Sequence, residues 1–347
     1  MEQFKIGELI EYTIQTDGVD IPIDYEVQLD GDTIYLGKLY PYPGTDKTVV
    51  TLNDIVESYL NYNDFDFDAF GYQAGGDTVK SLNLPNMRKT FTLIADDTYE
   101  FMVYLSYIKL GDSFEIDDYQ KLKHTTIDFG QDLYFIFSTT AGEKNMLIKY
   151  YVGGSLDDST EITFTSIADG FVAVKINPEP LYGGDANPDE IIIHDIYGNV
   201  KFYYKIGGCH KYYVYWFNEL GGIECINGNL TSKMKTDAEP IEYKRKYRTF
   251  NYDTSLMQGN QSNFGIDRSV ITTSDKYLIN TEILTTEQHK AMDSIYSTPK
   301  CWIYDKELHL YFSVTCMDLN YEEKIFRVDK MISKTLNFEK TIKNRRR

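Results

Sequence analysis

The sequence predicts a mainly β protein: tandem β-sandwich-like domains with a few short helices, and a C-terminal α+β part. Three observations predict it. Aromatic residues make up 15% of the chain, with 30 Tyr and 19 Phe, and such side chains favour half-buried pleated surfaces. Short apolar runs recur with turn residues between them, the spacing of sandwiches and barrels. Helical periodicity is confined to two short segments. Three units are expected, over 1–115, 116–206 and 207–347, with a helix at 51–61 in the first.

The first unit opens with hairpins. In Ile23–Leu29, apolar Ile23, Tyr25, Val27 and Leu29 alternate with Asp24, Glu26 and Gln28, the period of a strand with one buried face. Asp30-Gly31 then supplies a tight turn, and Pro41, Pro43 and Gly44 end the returning strand. Leu52, Ile55, Val56, Tyr59 and Leu60 form an apolar stripe, with Thr51 as the expected cap and Asp54 three positions on. The stretch 63–77 alternates Asp with Phe. Asp64, Asp66 and Asp68 resemble the start of a calcium loop, but Ala69 stands where the turn needs glycine and Gly75 where the bidentate Glu belongs. An acidic exposed loop is expected instead.

From 90 to 205 strand follows strand, with turns at Gly153-Gly154, Asp169-Gly170 and Gly198-Asn199. The loop 177–190 has no period and reads as a long connection or protruding arm. In the last unit, Thr285 and Gln288 have capping-box spacing, Met292, Ile295 and Tyr296 make the stripe, and Pro299 follows the helix. Strands at 300–305, 308–315 and 323–339 close the chain.

A net charge of -18, from 35 Lys+Arg against 53 Asp+Glu, repels polyanions. Wrapping duplex DNA through clustered Lys and Arg is not expected, whereas a protein that lets DNA slide past would benefit from acidic walls. The basic run Lys343–Arg347 reads as a frayed terminus. The start lacks a basic, apolar leader, and nowhere do about 18 apolar residues run together, so no membrane span is expected. Four cysteines are no disulfide framework, which fits synthesis in a reducing cytoplasm.

Catalytic and nucleotide-binding motifs are absent, so no enzyme and no cofactor is expected. Cys209, His210 and Cys225 are the best metal candidates. Adjacent residues of a strand point to opposite faces, so Cys209 and His210 cannot share an ion there, and no metal site is expected. Cys301 and Cys316 read as a buried pair facing across a hairpin. Abundant carboxylates are compatible with a glycosidase pair, and abundant Tyr and Trp with a sugar groove.

The segment 210–232 is the densest in aromatics. Tyr213, Tyr215 and Phe217 share one strand face, and Tyr212, Val214 and Trp216 the other. Both faces are apolar, which predicts a strand buried on both sides, between sheets or between subunits. Gly221-Gly222 predicts a tight turn where another backbone approaches, and Asn227-Gly228 the next hairpin. The residues Tyr215, Trp216, Phe217, Asn218, Gly221, Gly222 and Ile223 resemble a signature common in structural tail and neck proteins of tailed phages and prophages of Bacteroidetes, including crAss-like phages. Stretches 34–61 and 276–305 resemble the same group, in the same order, so the resemblance spans most of the chain. It departs in having Ile223-Glu224 where such proteins often have Trp-Asp.

The resemblance implies a virion structural protein: a ring component between portal and tail, closed from about twelve copies and forming part of the DNA conduit. Its partners would be copies of itself, neighbouring portal, ring and tail proteins, and passing DNA without sequence-specific contact. Trp216, Asn218, Gly221, Gly222 and Ile223 would be structural or interface residues. The alternative is a tail or baseplate protein that binds host glycans.

Overall fold

The computed structural model describes residues 2–5, 8–70, 78–105, 121–122, 124–198, 200–208, 210–229, 231–244, 248–251, 253, 255–259, 266–281, 284–318, 333–342 and 344–346. It is mostly β, in several sheets with few short helices. The first elements are β1 (Glu2–Lys5), β2 (Glu11–Gln15), β3 (Ile23–Leu29), β4 (Asp32–Leu39), β5 (Lys47–Thr51), α1 (Asn53–Glu57), β6 (Val79–Leu84), β7 (Arg88–Ile94) and β8 (Thr98–Tyr104). Five strands form one sheet, β1-β8-β7-β3-β4, and β2 pairs with β5. The β3–β4 turn has φ of 53° at Asp30 and 87° at Gly31, the left-handed pair that a two-residue hairpin needs.

The helix expected over 51–61 is shorter, and Thr51 does not cap it. Thr51 is still extended and paired with Glu11, and Leu52 holds the cap position without a side-chain bond. Asn53 fastens the helix start instead. Its Oδ1 accepts from the Ile10 amide at 3.0 Å, and its Nδ2 donates to the Glu8 carbonyl at 2.7 Å.

The acidic loop is also different from expectation over its described part; 71–77 lie outside the described residues. Alternation turns Phe65 and Phe67 inward, at 3% and 4% exposure, while Asp66 stays out. Phe67 stacks on Tyr311 at 4.2 Å between centroids and meets the edge of Trp302 at 5.0 Å. The Asp64 carboxylate accepts from the Asn86 amide and from its Nδ2, both at 2.8 Å. The Asp-Phe repeat buries its rings while the carboxylates keep water or a backbone amide.

Next come β9 (His124–Ile127), β10 (Leu133–Thr139), β11 (Gly142–Val152), β12 (Ser155–Ser166), β13 (Gly170–Ile176), β14 (Glu190–His194) and β15 (Val200–Ile206). The sheets β10-β13-β6 and β12-β11-β14-β15-β9 close around Phe135, Val172, Val174, Ile148 and Ile193, all 0% exposed. The other face of β10 and β13 is buried too, since Tyr134, Ile136, Phe171 and Ala173 join the core of the first sheet. A strand buried on both faces has no polar alternation, which is why 133–137 is wholly apolar. β6 lies within 1–115 and β13 within 116–206, so hydrogen bonds and core cross the expected boundary near 115.

The loop 177–190 does not protrude. The Tyr150 hydroxyl donates to the Pro178 carbonyl at 2.8 Å, Thr160 Oγ1 to the Leu181 carbonyl at 2.9 Å, and the Tyr182 ring lies 4.9 Å from that of Tyr150. Leu181 and Tyr182 supply the apolar anchors that a pattern search cannot see in so short a segment.

The last part contains β16 (Tyr212–Phe217), β17 (Ile223–Gly228), β18 (Lys233–Lys244), β19 (Arg248–Asn251), β20 (Leu256–Gly259), β21 (Ile266–Asn280), α2 (Thr286–Ala291), β22 (Cys301–Asp305), β23 (Leu310–Cys316), β24 (Thr335–Lys340) and β25 (Asn344–Arg346). Its large sheet runs β17-β16-β22-β23-β24-β21-β18, with β25 also on β21. The capping box is present: the Gln288 amide donates to Thr285 Oγ1 at 3.1 Å, and the Thr285 amide to Gln288 Oε1 at 2.8 Å. α2 continues as a 3-10 turn, Met292–Tyr296, with Met292 and Ile295 fully buried.

Three expectations change here. Asn227-Gly228 ends β17 rather than forming a hairpin turn; the turn follows, with the Ser232 amide donating to the Asn229 carbonyl at 2.8 Å. The terminal Asn344–Arg346 is no frayed tail but pairs with 271–273. Cys301 lies opposite Val314, with Cys316 on the diagonal, and both are free thiols. Of the strand expected over 323–339, residues 323–332 lie outside the described residues.

Candidate functional site

The β16–β17 hairpin is the most heavily buried element among the described residues, with all six residues of β16 buried. Tyr213, Tyr215 and Phe217 enter the core of the first sheet, while Tyr212, Val214 and Trp216 enter a second core with α2. The two-faced reading of this strand is therefore borne out, and its burial arises within one chain. Trp216 Nε1 donates to Ser294 Oγ at 2.9 Å, so the indole ties the strand to the 3-10 turn.

The turn after β16 is organised by Asn218, itself 0% exposed. Its Oδ1 accepts from the Leu220 amide at 3.0 Å and the Gly222 amide at 2.8 Å. Its own amide donates to the Gly222 carbonyl at 2.8 Å. Gly221 has φ of 91°, and a Cβ there would lie 2.5 Å from the Leu105 carbonyl oxygen. The turn thus needs glycine both for its dihedral and for the close approach of another backbone. Gly221→Ala should cost about 1–3 kcal/mol, read as a lower urea midpoint; an unchanged midpoint would show that the 105 backbone yields freely.

Asn218 Nδ2 donates at 2.6 Å to Glu224, a carboxylate 2% exposed at the second position of β17. Glu224 Oε1 also accepts from the Lys121 amide at 2.6 Å and, with Oε2, from the Leu122 amide at 3.2 Å. Lys121 Nζ in turn bridges Glu219 at 2.6 Å and Asp293 at 2.8 Å. One carboxylate therefore clamps the 121–122 backbone, the turn and β17 together. A cavity of about 10 Å³ beside it, lined in part by Leu122, Tyr204, Tyr215 and Cys225, has room for about one water and no substrate.

Burial pushes the Glu224 carboxyl up to about 7, against the three donors, the Lys121 and Leu122 amides and Asn218 Nδ2, and the Lys121 charge, which favour its charged form. The sign follows from linkage. The folded state keeps a proton that the unfolded chain releases near pH 4.5, so this group's stabilising contribution is complete below that pH and is lost as pH rises through about 7. Between pH 5 and 8 the wild type should lose on the order of 2–3 kcal/mol more than Glu224→Gln. Urea unfolding of both at the two pH values checks this; parallel losses would contradict it.

A second buried polar group lies at the other end of β16. Asp128 accepts from His210 Nδ1 at 2.6 Å, Tyr213 Oη at 2.7 Å and Lys306 Nζ at 3.0 Å. Burial alone would raise its pKa, but these three donors outweigh it and hold the carboxyl down at about 2. Asn227 Nδ2 donates to Gln131 Oε1 at 2.8 Å, and Gln131 Nε2 to Cys225 Sγ at 2.9 Å. Burial pushes the Cys225 thiol far up, which makes it unreactive. Cys209, its candidate metal partner, lies outside the described residues.

Trp216, Asn218, Gly221, Gly222 and Ile223 are thus gathered around one turn in the interior. Sequence reasoning missed Asp128, Gln131, Lys121, Ser294 and Lys306, which carry no local pattern. Glu224 did leave a signal, a lone carboxylate between Ile223 and Cys225. Chemically the arrangement can hold protons and fix backbone.

No protein-family model matches the chain, and no curated protein matches it. Among solved structures, trypsin-activated alpha-2-macroglobulin from Escherichia coli aligns with 82% of this chain and 19% of that one, at 7% identity and a TM-score of 0.17. The chain spans only that 19% of the other protein's length, and so low a TM-score carries no argument.

Proposed function

We propose that the chain is a virion structural protein, a ring component of a phage neck or tail between portal and tail, acting without catalytic turnover. The observation that carries this reading is what the phage-like residues do. Trp216, Asn218, Gly221, Gly222 and Ile223 are spent on framework, and stretch 276–305 supplies the strand, helix and turn that Trp216 leans on. A resemblance concentrated in framework fits a scaffold better than a catalyst.

A long ribbon adds to it. β18 and β21 pair from Lys233↔Leu278 to Lys244↔Ile266, with a bulge after Ile241. β18 is a sheet edge, and its Lys233, Met234, Lys235, Thr236, Ala238 and Glu239 are exposed. Edge charges and Pro240 oppose strand addition, so a neighbouring copy would meet the ribbon's faces. A ring needs such a heterologous contact, burying on the order of 2,000 Å². The charge of -18 fits a conduit wall that DNA passes without sticking.

Native mass spectrometry of the purified protein tests the self-association. The expected species is a closed ring of about twelve copies. A protein that stays monomeric at tens of micromolar and is also missing from purified particles contradicts the reading.

A further inference from the structure

The phage-like stretch 34–61 does more than build framework: it encloses most of an open groove of about 470 Å³ between β4 and α1. Its floor is firm, because Ile34, Ile55 and Tyr59 pack against the first core. Tyr25 lies across β4 beside Tyr35, with rings 5.7 Å apart and their hydroxyls hydrogen-bonded. Gly37 is what permits this, since a Cβ there would sit in the Tyr25 ring. Tyr35 is 42% exposed.

Besides the hydroxyls of Tyr25, Tyr35 and Tyr59, the polar groups of the groove are Thr51, Asp54 and Ser58, all exposed. Thr51 Oγ1 already donates to Glu11 Oε1 at 3.1 Å, and Ser58 Oγ to the Ile55 carbonyl at 2.9 Å. Their remaining capacity is to accept, and an ionised Asp54 can only accept. No Lys or Arg lines the groove. A ligand with several hydroxyl donors and apolar C–H faces for the tyrosines, and without negative charge, fits these groups.

We propose that this groove binds a neutral oligosaccharide, of about two or three sugar units for a groove of this size. Sugar hydroxyls donate to Asp54, Thr51 and Ser58, while a ring face stacks on Tyr35. The inference does not depend on ring assembly, because a monomer would carry the same groove.

Saturation-transfer NMR on the full chain tests it, with a panel of neutral trisaccharides built from glucose, galactose, mannose and N-acetylglucosamine. At least one should receive saturation. Tyr35→Ala and Asp54→Asn, both at exposed positions, should each weaken that binding about tenfold or more. Tyr40→Ala, at a side chain 69% exposed and outside the groove lining, should leave it unchanged. Circular dichroism confirms that each variant is folded. No transfer to any of the sugars, or binding indifferent to both groove substitutions, overturns the proposal.

Discussion

Trp216→Ala should lower the stability of the fold by about 3–5 kcal/mol, read as a shift of the urea midpoint. Trp216 heads the largest fully buried side chains. It sits on β16 between Glu224 and Cys301 on the neighbouring strands, and its indole reaches Ser294 at 2.9 Å. Alanine removes the whole ring from the second core and leaves a cavity that three elements would have to close together. Trp216→Phe separates the two contributions. It keeps most of the volume and loses the hydrogen bond, so it should cost about 1–2 kcal/mol. A loss below about 1 kcal/mol for the alanine variant would show that the core around α2 repacks readily.

Phe67→Ala should be nearly as damaging, at about 3–4 kcal/mol, but with a local signature. The ring is held by Tyr311, Trp302 and Tyr134, the last at 4.8 Å edge-on. These come from β23, β22 and β10, so Phe67 joins the large sheet to the three-stranded one. Around it the backbone is held mainly by short turns, such as the Phe70 amide donating to the Phe67 carbonyl at 3.2 Å. Hydrogen exchange of 65–70 should accelerate before the global transition. Unchanged exchange with lowered stability would place the effect in the sheets rather than in the loop.

Patterns that act within one element were readable from residues alone. The two faces of β16 follow from strand alternation, the cap of α2 from Thr285 and Gln288, and the β3–β4 turn from Asp30-Gly31. Each involves neighbours within about four positions, where local geometry decides. The misreadings share another cause. Thr51 is claimed by Glu11, 40 residues away; Asn227 by Gln131, 96 away; and the Asp64 carboxylate by Asn86. In each a residue with a good local role is taken by a distant partner, which outweighs its propensity. The candidate site divides in the same way. Trp216 to Ile223 stood out as a cluster, but the 121–122 backbone that Glu224 holds lies more than 100 positions away.

Electron cryo-microscopy of phage particles carrying this chain tests the central claim most directly. The account predicts the chain as a closed ring of about twelve copies at the neck or tail, coaxial with the DNA path, with Trp216 buried inside each copy. Particles complete without the chain, or with it only as separate peripheral copies, would contradict it.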